Sequence, residues 1–208
     1  MTEQAVARQD DLLNFWFGPL GPDGFPRGDR SRLWFGGASE MDDAIRARFA
    51  DDVELAVSGS LDAWGETARG RLALILLLDQ FPRNLFRGTP RAFACDTHAL
   101  RHALAGLEEG QDGQLAPIER AFFYLPLEHA EDRGLQRRSV RVYEHLVREF
   151  PAAAAQLQGF LDYAVKHRDI IERFGRFPHR NAILGRASTP EEITFLETAE
   201  RFGQGEPR

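Results

Sequence analysis

Thr67 to Phe81 reads TARGRLALILLLDQF, and its middle, Leu72 to Leu78, is an unbroken run of seven apolar residues. A run of that length suits a buried strand as well as a buried helix. Arg71 before it and Asp79-Gln80 after it extend the segment to helical length. Apolar side chains on nearly every face then predict a central helix over 67–81, packed on several sides. Seven residues fall far short of the ~20 that cross a bilayer, so no membrane partner is expected.

Outward from this helix the chain keeps a helical period. Ile45, Phe49, Val53 and Ala56 form one stripe over residues 40–58, with Ser39 and Asp42 spaced as a capping box. Asp96 is the expected N-cap of a helix over 97–108, and Pro117 opens one that runs to about Tyr124. Leu135, Val142 and Leu146 mark 132–149, Pro151 opens a helix ending at Phe174-Gly175, and Thr189-Pro190-Glu191-Glu192 starts a last one reaching about Arg201. No stretch alternates as strands do. The fold class is all-α, with antiparallel helix pairs in a single domain over residues 1–208.

Three irregular stretches interrupt the helices. Residues 18–38 are rich in glycine and proline and carry Trp34-Phe35, a long aromatic loop. Residues 82–95 and 175–188 echo each other: Phe81-Pro82-Arg83-Asn84 in one, Phe177-Pro178-His179-Arg180-Asn181 in the other. With helix pairs on either side, the echo suggests a duplicated helical unit.

Composition limits the partners. The 208 residues carry a net charge of −6, which argues against nucleic acid and membrane surfaces. No N-terminal export signal is visible, so a cytoplasmic location is expected. The single cysteine, Cys95, excludes an internal disulfide and a thiolate metal cage; its place before a helix N-terminus would lower its pKa. The charge is unevenly placed. Residues 1–66 hold 6 basic and 13 acidic side chains, whereas residues 67–186 hold 18 and 14. Arginine supplies every basic side chain but Lys166. A net-positive middle in an acidic chain suggests an arginine-lined concavity for a small anion.

The polar blocks in that middle are the candidate site. Asp79, Arg83 and Asn84 sit at the end of the most apolar helix, where an unpaired carboxylate would be costly. Glu128 and Asp132 stand four apart beside His129, which on a helix gives one face two carboxylates and an imidazole for acid–base work. His167 lies in an apolar stripe with Phe160, Tyr163, Ile170, Ile171 and Phe174, so it points inward. Beyond that helix come Arg176, His179, Arg180 and Asn181, donors suited to a carboxylate or phosphate. His98 and His102 have metal-ligand spacing, but with Arg101 between them they read as an exposed face, and no metal or cofactor is expected.

Four ordered blocks carry a resemblance: Leu13 to Gly18, Asp79 to Asn84, Pro126 to Asp132, and Phe174 to Asn181. Over about residues 12–198 the chain resembles the mainly bacterial domain-of-unknown-function family 924. The resemblance implies a tetratricopeptide-like array of antiparallel helices and implies no activity. The residues themselves suggest a polar pocket for a small anionic molecule. In that pocket Arg83, Arg176 and Arg180 hold the anion, Asp79, Asn84, His129 and Asn181 complete the lining, and His167 or His179 moves a proton with Glu128 or Asp132 orienting it. The alternative is a helical groove for an acidic peptide, contacted by Trp34-Phe35 and exposed arginines.

Overall fold

The computed structural model describes residues 2–35 and 39–198, the side chain of Ser39 excepted. Among them every regular element is helical, and the one β-like feature is an isolated bridge between Leu20 and Pro26. Among the described residues no helix is long and apolar enough to cross a membrane. The elements are α1 (Glu3–Phe17), α2 (Ser31–Phe35), α3 (Ser39–Val57), α4 (Ala68–Ile75), α5 (Phe81–Leu85), α6 (Asp96–Glu108), α7 (Pro117–Glu128), α8 (Arg133–Glu149), α9 (Ala154–Phe174) and α10 (Pro190–Leu196).

The apolar run does lie at the centre. Leu72 to Leu78 are all 0% exposed, and α4 packs against α1, α6 and α7. The helix continues past residue 81, however. Leu76–Gln80 form a π-helical turn in which the Phe81 amide reaches back to the Leu76 carbonyl, and α5 follows directly. The wider turn accommodates Pro82, which has no N–H to offer an α-helical ladder. Phe81-Pro82-Arg83-Asn84 is therefore helical, whereas Pro178–Arg180 is a 3-10 turn. The two echoing strings are not copies of one structural unit.

Aromatic side chains fill the space around α4. Trp16 meets Phe81 at 5.4 Å between ring centroids and Phe122 at 5.7 Å, and Phe122 meets Phe160 at 5.7 Å. The expected loop over 18–38 carries the short helix α2, and its Trp34 packs on Phe122 at 4.9 Å while its indole N–H donates to the Trp16 carbonyl. Gly36, Gly37 and Ala38 lie outside the described residues. Gly24 has φ +76, and a Cβ there would come within 2.4 Å of Pro117, so this turn requires glycine.

Three carboxylates are placed differently from expectation. Asp132 does not share a helical face with Glu128: α7 ends at Glu128, and Asp132 caps α8 by accepting from the Leu135 amide at 2.8 Å. Asp96 is the first residue of α6, and its carboxylate faces two arginines instead of its own helix end. Asp42 likewise accepts from Asn84 at 2.9 Å and pairs with Arg87 at 3.1 Å. For Asp96 and Asp42 a guanidinium, or a guanidinium plus an amide, offers charged donors that a local backbone amide cannot match. The last helix ends at Leu196; its expected reach to Arg201 runs outside the described residues.

Candidate functional site

The π-turn, the end of α7, the face of α9 and the 178–180 turn meet around a cavity of about 410 Å³. Arg83, Asn84, Glu128, His129, His167, His179 and Arg180 line it. Asp79 lies directly behind His129 and is 0% exposed. Arg176 and Asn181 are elsewhere: with Glu192 and the cap of α10 they form a separate clasp.

Asp79 organises the floor. Its Oδ1 is 2.7 Å from His129 Nδ1, its Oδ2 accepts from Gln80 at 2.6 Å, and Arg83 Nη1 stands 3.2 Å from Oδ1. Burial alone would raise this carboxyl. The Arg83 guanidinium and the His129 ring outweigh it and hold Asp79 well below the ordinary carboxylate range. The carboxylate fixes the ring so that Nδ1 carries the proton and Nε2 keeps its lone pair.

Glu128 has the opposite environment. Its Oε1 is 3.1 Å from His167 Nδ1, and its buried Oε2 has no hydrogen-bond partner among the described residues. Burial, with the Asp79 charge adding to it, pushes this carboxyl up to about 8, so at neutral pH it holds its proton. His167 donates Nδ1–H to the Tyr163 carbonyl at 2.8 Å. Burial chiefly keeps His129, His167 and His179 from protonating, His179 being pushed down to about 3 with help from Arg180 and Arg83. At neutral pH the floor therefore holds one fixed anion, one protonated carboxyl and three neutral imidazoles.

The arginines are engaged by carboxylates. Arg83 grips Asp96 with two bonds of 2.8 and 3.0 Å, and Arg180 reaches the same Asp96 at 3.1 Å and the His129 carbonyl at 3.1 Å. Arg180 keeps one donor in reserve: its buried Nε has no partner among the described residues. Burial pulls this guanidinium down to about 10.

The opposite wall is apolar. Phe160, Tyr163 and His167 share the cavity face of α9 with Gln156, and Trp34, Phe35 and Phe93 complete the wall. The apolar spacing on α9 places His167 inward, although Tyr163 from the same stripe is 44% exposed. Among the contributors not assigned from the sequence are Asp96, Gln156 and Phe93. For Gln156 a signal was present, since it precedes Phe160, Tyr163 and His167 at helical spacing on α9. Asp96 has none, because a residue opening a helix reads as a cap. Cys95 takes no part in this wall, and burial together with Asp96 pushes its thiol up instead of down.

The model of a family of bacterial proteins of unknown function, DUF924, matches residues 12–200. The chain belongs to this family. The protein of unknown function ATU0120 from Agrobacterium tumefaciens, a solved structure, is 40% identical to the chain. The match covers 94% of this chain and 99% of that one, with a TM-score of 0.79. No curated protein matches the chain. The DUF924 match spans every residue that lines the cavity, from Trp34 through the π-turn to Arg180.

Proposed function

We propose that this DUF924 protein is an acid–base enzyme acting on a small organic molecule that carries an apolar part and an anionic or strongly accepting group. The observation that carries the reading is the 2.7 Å contact of Asp79 with His129 in a cavity that also holds a protonated Glu128. Two carboxyls whose environments drive their protonation apart supply a base and an acid at one pH. His129 Nε2, oriented through Nδ1 by Asp79, takes a proton from the substrate or from water. Glu128 delivers one. The partner-free Nε of Arg180 offers the anionic group a charge-assisted hydrogen bond, and the aromatic wall takes the apolar part. His167 positions Glu128 in this scheme, and His179 packs on Phe177, the ring that His167 also meets. No serine, threonine or cysteine lines the cavity among the described residues, and the reading rests on proton transfer by His129 and Glu128.

The test is a thermal-shift screen of small carboxylates and phosphate esters, each hit then incubated with the protein in D2O. Deuterium incorporation or turnover in the wild type, reduced about 10²–10⁴-fold in His129→Ala and in Glu128→Gln, supports the reading. Hits whose binding and turnover are unchanged in both variants, or a screen with no hit dependent on Arg180, would sink it.

A further inference from the structure

Away from the cavity, two segments bring a second set of ligating atoms together. His98 and His102 stand one turn apart on α6, and Asp62 opens the 3-10 turn Asp62–Glu66. The two histidine side chains are 15% and 14% exposed, not an open face, while Asp62 is 52% exposed. Their ligating atoms form a small triangle. His98 Nε2 and His102 Nε2 are 3.2 Å apart, and Asp62 Oδ1 lies 3.2 Å from the first and 3.5 Å from the second.

We propose that Asp62, His98 and His102 form a binding site for a divalent transition metal of the zinc class. Tetrahedral Zn²⁺, with nitrogen at about 2.0–2.1 Å and carboxylate oxygen at about 2.0–2.2 Å, sets neighbouring ligand atoms about 3.3–3.5 Å apart. The three observed edges of 3.2, 3.2 and 3.5 Å make one face of that tetrahedron with no side chain having to move by more than a few tenths of an ångström. Two imidazoles and one carboxylate select Zn²⁺, Co²⁺, Ni²⁺ or Cu²⁺ over Mg²⁺ and Ca²⁺, which want oxygen ligands. The fourth position lies on the side of the half-exposed Asp62, where water or an exchangeable ligand completes the shell.

The ligands are also held in place from behind. Arg71 is 6% exposed; it donates to the His102 carbonyl at 3.3 Å and to Glu109 at 2.8 Å, and it bonds Gln111. Gln111 in turn donates to the Gly65 carbonyl at 3.3 Å. One buried network thus anchors both the helix carrying the histidines and the turn carrying the aspartate. Preorganised ligands bind without the ordering cost that a surface pair of histidines pays.

Untagged protein stripped with chelator is titrated with Zn²⁺ by calorimetry and with Co²⁺ by visible absorption. The expected result is one equivalent bound and the intense d–d bands of four-coordinate Co²⁺. Zinc should shift the Nε2 resonances of two histidines in the wild type, a measurement that needs no variant to fold. His98→Gln and His102→Gln should each weaken binding by about 100-fold or more, and Asp62→Asn by about 10-fold, with Cys95→Ser and His129→Gln unchanged. Binding that survives in the His98→Gln/His102→Gln double variant, a six-coordinate Co²⁺ spectrum, or loss of binding in His129→Gln overturns the proposal.

Discussion

Glu128 and Glu192 expose almost none of their surface, at 3% and 2%, yet Glu128 lies deep among protein atoms and Glu192 near the periphery, and they meet opposite fates. Glu192 belongs to the clasp that ties α10 to the 178–180 turn. Its Oε1 accepts from Arg176 at 2.7 Å; its Oε2 accepts from Arg176 at 2.8 Å, the Thr189 amide at 2.8 Å and Asn181 at 3.3 Å. Those donors, the Arg176 hydrogen bond first, pull the carboxyl down to about 2. Glu128 has one imidazole contact, a carboxylate nearby and an unpartnered oxygen, and burial pushes it up to about 8. Depth of burial and the donors at hand together decide whether a carboxyl keeps its proton. The clasp spends its donors on structure, and the cavity leaves Glu128 as an acid.

The largest expected effect tests the anion that adds to burial in keeping Glu128 protonated. Asp79→Ala removes the carboxylate between Arg83 and His129 and should cost about 3–5 kcal/mol in urea denaturation, because a buried guanidinium loses one of its two anions. Asp79→Asn preserves the shape. Without the Asp79 charge, Glu128 should titrate closer to the ordinary carboxylate range, and a titration of Glu128 followed by infrared or NMR checks this. An unmoved Glu128 would mean that the two carboxyls are not electrostatically linked.

Next in size is the clasp itself. Glu192→Ala strands the Thr189 amide and the Asn181 carboxamide as well as Arg176, and a loss of about 2–3 kcal/mol is expected. The same measurement on Glu128→Gln should give less than about 1 kcal/mol at pH 7, since a protonated carboxyl and a carboxamide are both neutral there. Equal losses in the two variants would break the contrast between the two glutamates.

The pH dependence of stability separates them further. A carboxyl with a folded pKa of about 8 against an ordinary value of 4.5 binds its proton more tightly in the folded protein. Its contribution is therefore complete below pH 4.5 and is lost as pH rises through 8, at up to about 1.4 kcal/mol per unit. The three neutral histidines act the other way, but only below their ordinary value of 6.5, because the unfolded chain takes up protons there first. Between pH 6.5 and 8, Glu128 should dominate, and wild-type stability should fall as pH rises while Glu128→Gln stays flat. Glu192, drawn down to about 2 from 4.5, should lose its contribution only as pH falls through that lower interval.

What the sequence displayed and what it concealed follow from the range of the forces involved. The apolar run and the periodic stripes announced the helices, because burial of a helix face is written locally every three or four residues. The inward direction of His167 was legible for the same reason. The π-turn was not, since one inserted backbone residue leaves no compositional trace. Asp96 read as a cap because its partners, Arg83 and Arg180, lie 13 and 84 residues away. The net-positive middle pointed to arginines of which Arg83 and Arg180, but not Arg176, line the cavity, and it overstated their freedom: Asp96, Asp42 and Glu192 occupy most of their donors. The His98–His102 pair lacked its third member until the 62–66 turn was placed beside α6.

The smallest expected effect asks whether the clasp acts as one unit. The Thr189 hydroxyl accepts from the Glu192 amide at 3.2 Å, while the Glu192 carboxylate accepts from the Thr189 amide at 2.8 Å, a reciprocal cap on α10. Thr189→Ala removes only the first bond and should cost about 1 kcal/mol. Arg176→Ala removes a partner of the same carboxylate through a different bond. If Glu192 is the shared hub, Arg176 fixes the carboxylate that accepts from the Thr189 amide while the Thr189 hydroxyl fixes the Glu192 backbone that carries it, and the double variant should lose measurably less than the two single losses combined. Strict additivity in that cycle would show the cap and the ion pair to be independent. The clasp would then be a set of separate bonds instead of the single donor-saturated cage that keeps Glu192 ionised.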